Sequence, residues 1–171
     1  MAIASSVRAA RADDLDRIAA IKVKNWADTY APLLSSEILR PFLDEAAQRQ
    51  YIKEKAALPG TLLLVAEDKG EVAGFALTFL DADPEPWLES LHVLAQSRGR
   101  GAGTELMSAT AAELLDRGHR AMALGVVVGN DRAARYYERL GAELVKVEPV
   151  TWAQGVNHAV YRCRDVALLI R

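Results

Sequence analysis

The chain has 171 residues, of which 51% are hydrophobic and 26% are charged, and its formal net charge at pH 7 is -2. This length and composition predict a single soluble globular domain that spans residues 1–171. The small net charge and the lack of a long basic run argue against a nucleic-acid-binding protein. Because no apolar run approaches the roughly 20 residues of a membrane span, we also expect no membrane segment.

The first predicted element is an amphipathic helix. Asp13 and Asp14 are residue types that favour a helix start, both as N-caps and because their charge suits the helix dipole. The apolar spacing over residues 15–26 places Lys22 on the otherwise apolar side of this helix. Prolines then punctuate a second helical stretch, which ends before Gly60.

From residue 61 the pattern changes to that of β-strands. Residues 61–81 contain two β-rich runs around the sequence EDKG, which predicts a hairpin. Residues 87–95 predict another strand. After a glycine-rich stretch, a helix is expected to continue to about Arg117.

The second half of the chain alternates strands and helices. Residues 118–130 end the preceding helix and add a strand. The next helix is predicted to have Asn130 at its start and Gly141 just past its end, and two closing strands follow. The order of elements therefore predicts one mixed α/β layer structure with at least six strands.

Few residues of this chain suggest a disulfide, a metal site or export. Cys163 is the only cysteine, which excludes an intramolecular disulfide and makes a reducing, cytoplasmic setting the default expectation. Together with His119 and His158 it shows no metal-ligand spacing, so we predict no metal. Residues 1–14 lack a basic start and a sustained apolar stretch, so we expect no signal peptide.

The stretch QSRGRGAGTELM is the most unusual local feature of the sequence. Gly99, Gly101 and Gly103 occupy alternate positions at the mouth of a predicted helix, and Arg98 and Arg100 stand beside them. Glycine allows a ligand to approach the backbone closely, and the first N–H groups of a helix attract anions. Guanidinium groups match phosphate oxygens well, so this stretch predicts a phosphate-binding turn.

Two familiar nucleotide-binding motifs do not match this stretch. The mononucleotide P-loop needs Gly-Lys-Ser/Thr, and the chain has no such sequence. The dinucleotide fingerprint, started at Gly99, needs a glycine at position 104, where the chain has Thr104.

The spacing resembles a third motif. Residues 98–103 are similar to the (Gln/Arg)-x-x-Gly-x-(Gly/Ala) signature of the GNAT superfamily, the acetyl-CoA-dependent N-acetyltransferases. LESLHV, residues 88–93, resembles the strand that this family places just upstream. NDRAARYYERLG, residues 130–141, resembles the family block N-x-x-A-x-x-(F/Y)-Y-x-x-x-G. The N-terminal segment VRAARADDLDRIAAI and the W-x-x-x-Y of Trp26 and Tyr30 also resemble the opening of many members. The similarity therefore covers roughly residues 7–145 in the expected order.

The resemblance implies a fold and a cofactor. The implied fold is a single GNAT-like α/β domain, in which helices flank a central, mostly antiparallel twisted sheet of about six to seven strands, splayed around a parallel pair. Acetyl-CoA would insert at the splay as the acetyl donor, with its pyrophosphate on the glycine turn. The implied cofactor-binding residues are Leu91, His92, Val93, Arg98, Gly99, Arg100, Gly101, Ala102, Gly103, Thr104, Asn130, Arg132 and Tyr137. Arg135 is a further candidate for a phosphate contact, although Arg132 and Arg135 are equally compatible with solvated charges.

The resemblance also implies direct attack of a primary amine on the thioester, through a tetrahedral intermediate. Tyr137 aligns with the family's proton donor to the leaving thiolate. Glu89 is the first candidate for the general base, and His92 is the second because imidazole titrates near neutrality. Strand alternation predicts that these two side chains point to opposite faces. An exposed strand charge explains Glu89 equally well, and a packed histidine explains His92, so the sequence leaves the base undecided.

Trp26 and Tyr30 are, with Glu89, the predicted acceptor-binding residues. Their i, i+4 spacing is just as typical of core packing on a helix. The sequence fixes neither the amine nor the preferred acyl chain, and a homodimer is expected only by family habit. A non-catalytic acyl-CoA sensor or interaction module is the main alternative to the enzyme, and a nucleotide-binding protein with an unusual turn is a weaker one.

Overall fold

One seven-stranded sheet runs through the computed structural model, which describes residues 6–171. From one edge to the other the strands are β1 (Ser6–Ala9), β2 (Thr61–Asp68), β3 (Glu71–Phe79), β4 (Trp87–Val93), β5 (Met122–Val127), β7 (Asn157–Cys163) and β6 (Glu143–Pro149). All neighbours pair antiparallel except β4 and β5, which are parallel. The mixed α/β fold with six to seven strands is therefore confirmed. Residues 1–5, part of the stretch inspected for a signal peptide, lie outside the described residues.

Helices cover both faces of the sheet. They are α1 (Leu15–Tyr30), α2 (Ser36–Leu39), α3 (Glu45–Ala56), α4 (Ala102–Asp116) and α5 (Asp131–Arg139). On one face Ile18 of α1 and Ile52 of α3 are fully buried against Phe75. On the other face Leu106 of α4 packs in a larger core with Tyr137 of α5. Within residues 6–171, no helix combines the length and apolarity that a bilayer crossing requires.

Local turn chemistry explains several element boundaries. The hairpin predicted for residues 61–81 is confirmed as β2 and β3, joined through Lys69 and Gly70 at φ values of 54° and 81°. The Asn130 side chain accepts a hydrogen bond from the Ala133 N–H and caps α5, as predicted. Gly141 follows that helix with φ 92°, in the left-handed region that glycine adopts without strain.

The predicted start of α1 is confirmed, but Asp14 does not act through a cap bond. The helix begins at Leu15, but the Asp14 side chain makes no cap bond to it. Its carboxylate instead accepts from the Arg8 guanidinium at 2.7 and 3.0 Å and from the Arg11 N–H at 2.7 Å. These bonds close a short 3-10 turn ahead of the helix and tie it to β1, because an arginine pairs with a carboxylate at two points.

The alternation predicted for β4 is also wrong. The pairing with β3 shifts register after Leu77, which pairs with Ser90, so that Thr78 pairs with Leu88 and Glu89 has no partner. This β-bulge inserts one residue and resets the period of 2. Glu89 and His92 consequently both face the helices of the α1 and α3 layer.

Candidate active site

The sheet opens between its two parallel strands. β4 and β5 pair only at Trp87 with Ala123 and at Leu88 with Leu124, and they separate beyond these two pairs. A parallel ladder normally continues with evenly spaced bonds, so each strand beyond the junction presents backbone groups that the other does not bind.

The hydrogen-bonding phase of β4 decides which groups face this opening. The Leu94 N–H donates to the Ala73 carbonyl at 2.8 Å, so residues in phase with Leu94 bond to β3. In an antiparallel ladder the alternate residues turn their backbone groups the other way. Leu91 and Val93 therefore direct theirs toward β5. The Val93 carbonyl is already occupied, because the Asn25 amide and the Arg98 guanidinium both donate to it at 3.1 Å.

A cavity of about 1100 Å³ fills the opening. It brings together nearly all of the predicted cofactor-binding and acceptor-binding residues. The predicted residues that line it are Trp26, Tyr30, Glu89, Leu91, His92, Val93, Arg98, Gly99, Gly101, Ala102, Gly103, Thr104, Asn130, Arg132 and Tyr137. Arg100 and Arg135 are not among its lining residues; Arg100 pairs with Asp68 at 3.4 Å instead.

The glycine turn forms one end of the cavity. Gly99 and Gly101 have φ values of 77° and 93°, which side-chain-bearing residues adopt only with strain. Gly103 is needed for a different reason, since a Cβ there would lie 3.1 Å from the Tyr136 hydroxyl oxygen. The first helical bond of α4 runs from the Glu105 N–H to the Gly101 carbonyl at 2.8 Å. The N–H groups of residues 102–104 precede it and have no partner within the helix.

Two arginines add positive charge at this end. Burial of the Arg98 guanidinium lowers its pKa, and the nearby like charge of Arg132 lowers the pKa further. Like charges held close together are compensated when an anion binds between them. With the free N–H groups of α4, these side chains make this end of the cavity an anion site.

Tyr137 lies deeper in the cavity, on α5. Its side chain is 8% exposed, and burial raises the pKa of its hydroxyl well above the ordinary value. Its ring packs edge-on against that of Tyr136 at 5.3 Å. The phenol therefore stays protonated across the physiological pH range and keeps its O–H, and the raised pKa makes it a weaker acid than an exposed tyrosine.

Tyr30 and Asn130 meet on the same side of the cavity. The Asn130 amide donates to the Tyr30 hydroxyl at 3.3 Å while its carbonyl oxygen caps α5. Tyr30, predicted as an acceptor-binding residue, thus positions a predicted cofactor-binding residue. Its ring is also 4.6 Å from that of Trp26.

Another part of the cavity wall is built around Glu89. The Tyr51 hydroxyl and the Trp87 indole N–H each donate to one of its carboxylate oxygens at 3.1 Å. His92 lies on the same face, with its Nδ1 3.4 Å from the Asn25 amide. Burial, with contributions from Lys22 and Arg98, lowers the pKa of His92 to about 3. The imidazole is therefore neutral near pH 7 and a weak proton acceptor.

Several residues that line the cavity are not among the predicted site residues. Phe42 and Trp152 join Trp26 in an aromatic cluster, although they come from distant segments of the chain. Tyr51 comes from α3, where nothing in its neighbourhood distinguishes it from a packing residue. Lys22 does carry a signal, since a lysine on the apolar side of an amphipathic helix is unusual.

Groups outside the cavity add little chemistry. Cys163 is 4% exposed on β7, and burial raises the pKa of its thiol to about 11, so it supplies no thiolate nucleophile. Within residues 6–171, no group of three or more His, Cys, Asp or Glu side chains is arranged to hold a metal ion.

Comparison with known proteins identifies the family. The model of the Acetyltransferase (GNAT) family matches residues 20–142, a span that contains the glycine turn, β4, β5 and α5. The chain belongs to this family. Its membership places the protein among the acyltransferases and confirms the resemblance that the three sequence blocks suggested.

Individual proteins agree with this GNAT assignment. An uncharacterized N-acetyltransferase of Mycobacterium tuberculosis is 28% identical over 145 residues, which cover 85% of this chain and 92% of that protein. The PaiA N-acetyltransferase of Thermoplasma acidophilum, solved with coenzyme A, is similar in structure with a TM-score of 0.80 and 17% identity, over 95% of this chain and 99% of that one. YncA of Salmonella typhimurium, a putative acetyltransferase solved with acetyl-CoA, has a TM-score of 0.68 and 21% identity, over 94% of this chain and 93% of that one. These structures share the fold of this GNAT chain.

Proposed function

We propose that this protein transfers the acetyl group of acetyl-CoA to a primary amine. The observation that carries the proposal is the cavity itself, which joins an anion site at the start of α4 to a carboxylate at Glu89 through the gap between β4 and β5. The anion site suits the pyrophosphate of acetyl-CoA, and the carboxylate suits a cationic amine that approaches the thioester. Family membership and the CoA-bound neighbours support the same cosubstrate.

Different residues along the cavity would bind different parts of acetyl-CoA. Gly99, Gly101 and the N–H groups of residues 102–104 would hold the pyrophosphate, with Arg98 and Arg132 beside it. The backbone groups of Leu91 and the N–H of Val93 would bind the pantetheine arm, as a neighbouring strand would.

Proton transfers fall to two side chains. An alkylammonium ion has a pKa of about 10.4 and must lose its proton before it can attack. Glu89 is the proposed base, directly or through water, and Tyr137 is the proposed donor to the departing sulfur. The amine attacks directly, because Cys163 lies outside the cavity.

The decisive experiment has two steps. Isothermal titration with CoA, acetyl-CoA, ATP and NAD first tests the cosubstrate, and CoA species should bind while NAD should not. Thiol release from acetyl-CoA is then followed with a panel of primary amines. Binding of CoA without turnover of any amine would favour an acyl-CoA sensor, and preferential binding of ATP or NAD would refute the CoA site.

Some expectations stay predictions. A cytoplasmic location and a lack of nucleic-acid partners fit the composition and are open to direct test. The homodimer is supported by β6 at the sheet edge, where Leu144, Val145 and Val147 are each more than half exposed. Sedimentation analysis would test it.

A further inference from the structure

Lys22 is a buried cation without a protein counter-ion. The residue is 5% exposed and lines the cavity from α1. Among residues 6–171 its ammonium group has no carboxylate within ion-pair distance and no hydrogen-bond partner; its Nζ lies 4.6 Å from the centre of the Tyr51 ring. Glu89 attracts it only at longer range, and burial lowers its pKa to about 8. A buried charge is normally paired, so a cation that faces a cavity calls for an anion from a ligand.

Tyr51 brings this cation and a carboxylate to one place. The Lys22 ammonium lies over the face of the Tyr51 ring in a cation–π contact, and the Tyr51 hydroxyl donates a hydrogen bond to Glu89 at 3.1 Å. Lys55 also lies near the ring, 5.5 Å from its centre, but it does not line the cavity. One tyrosine therefore separates a positive and a negative group on the cavity wall. This arrangement is complementary to a ligand that carries an ammonium and a carboxylate close together.

An aromatic wall adjoins the charged pair. Trp26 lies one helical turn beyond Lys22 and stacks on Phe42 at 4.2 Å. Trp152, from the loop between β6 and β7, meets these two rings edge-on at 5.6 and 5.1 Å. Trp152 remains 40% exposed, which leaves aromatic surface available to a flat or bulky apolar group.

We infer that the acceptor is an α-amino acid with an aromatic or other large apolar side chain. Its ammonium group meets Glu89, its carboxylate pairs with Lys22, and its side chain lies against Trp26, Phe42 and Trp152. The inference rests on the proposed function and names its substrate class. In the reaction the ammonium gives one proton to Glu89, and the amine nitrogen then adds to the thioester carbonyl to form the C–N bond. The C–S bond breaks as this intermediate collapses, the nitrogen loses its second proton, and the sulfur gains one. The acceptor carboxylate is unchanged, and Lys22 is not consumed.

Matched pairs of acceptors test this directly. L-tryptophan and tryptamine differ only in the carboxylate, as do L-phenylalanine and 2-phenylethylamine. We expect kcat/KM to favour each amino acid over its decarboxylated partner by about 10- to 100-fold, the range for a charge-assisted contact. L-alanine, which keeps the carboxylate but lacks the ring, should be a poorer acceptor than L-phenylalanine.

Variants of Lys22 test whether its ammonium group causes the preference for amino acids over decarboxylated amines. Lys22→Met should make the two members of each pair equally good acceptors, while Lys22→Arg should keep part of the preference. Lys24→Met, on the exposed side of the same helix, is the matched control and should behave as the parent. Because the ligand pairs are compared in the parent protein too, a poorly folded Lys22→Met variant would not remove the test.

The outcomes separate this inference from the proposed function. Equal rates with tryptophan and tryptamine in the parent, or turnover only of amines outside these pairs, would overturn the amino-acid assignment and leave the acetyltransferase intact. Acetyl-CoA binding with no amine acetylated would instead refute the proposed function. Mass spectrometry that finds the acetyl group on Lys22 itself would show that Lys22 is a target and not a carboxylate partner, which also overturns the assignment.

Discussion

The Tyr51 hydroxyl donates to a carboxylate oxygen of Glu89 across 3.1 Å, so a side chain of α3 directs the carboxylate that β4 carries. Trp87 holds the other oxygen at the same distance. If Glu89 is the base, Glu89→Gln should lower turnover by about 10²- to 10⁴-fold, because the amide cannot accept the proton. Steady-state kinetics and CoA titration would show this loss with unchanged CoA affinity. Glu71→Gln, exposed at the start of β3, is the control, and parental turnover in Glu89→Gln would exclude the role.

His92 should not titrate in the physiological range. Burial is the main reason that its pKa lies near 3, and the positive charges of Lys22 and Arg98 act in the same direction. The imidazole is then neutral at every pH above about 4. NMR titration of the histidine ring signals should show no inflection for His92 between pH 5 and 8. An inflection near 6.5 that also appears in the pH–rate profile would restore His92 as the base.

Tyr137→Phe should lower turnover and leave CoA affinity nearly unchanged, since it removes a proton donor without removing the ring. Tyr161→Phe is a matched control, because Tyr161 is equally buried but its hydroxyl donates to Glu138 outside the cavity. Kinetics and calorimetric CoA binding should separate the two variants. Identical rates for both would remove Tyr137 from the mechanism.

Gly101 and Gly118 allow backbone strain to be separated from ligand binding. Their φ values are 93° and 84°, and a Cβ at either position would meet nothing closer than 3.9 Å. Gly101→Val and Gly118→Val should therefore both lower the melting temperature, because a β-branched residue is strained in this region. Only Gly101→Val should also weaken CoA binding, since only Gly101 lines the cavity. Parental CoA affinity in Gly101→Val would make the turn purely structural.

Lys22→Met should stabilise the protein at pH 7. The pKa of Lys22 falls from 10.5 to about 8 on folding, so folding opposes its protonation at a cost of about 3 kcal/mol. This loss of stability has its full size below pH 8. It decreases to zero as the pH rises toward 10.5, where the unfolded chain also loses the proton. Over this interval the raised pKa of Tyr51 and the low pKa of His92 keep both neighbours neutral. Urea denaturation would measure the free energy of unfolding of Lys22→Met and of the parent, and the difference between them should be smaller at pH 10 than at pH 7.

The control for Lys22→Met is again Lys24→Met, which removes a lysine that is 58% exposed and paired with Asp28. Its free energy of unfolding should stay close to that of the parent at both pH values. A Lys22→Met variant that is less stable than the parent at pH 7 would mean that the contact with the Tyr51 ring outweighs the cost of burial.

Local rules account for the elements that the sequence predicts well. The hairpin at residues 61–81 and the α5 helix depend on nearby turn and cap residues such as Gly70 and Asn130. The bulge at Glu89 is set by pairing with β3, and no residue of β4 marks it in advance. The aromatic wall forms because Phe42 and Trp152 meet across about 110 residues of chain, a relationship that only the fold creates.

The two residue pairs that join β4 to β5 make the sheet two half-sheets with a narrow junction. Each half is hydrogen-bonded within itself, and the larger core joins the two, because it packs Leu64 and Ala76 of one half with Leu124 and Tyr161 of the other. Backbone pairing is therefore interrupted along this line, while side-chain packing continues across it. A ligand in the opening that offers hydrogen bonds to both strands would bridge the interruption.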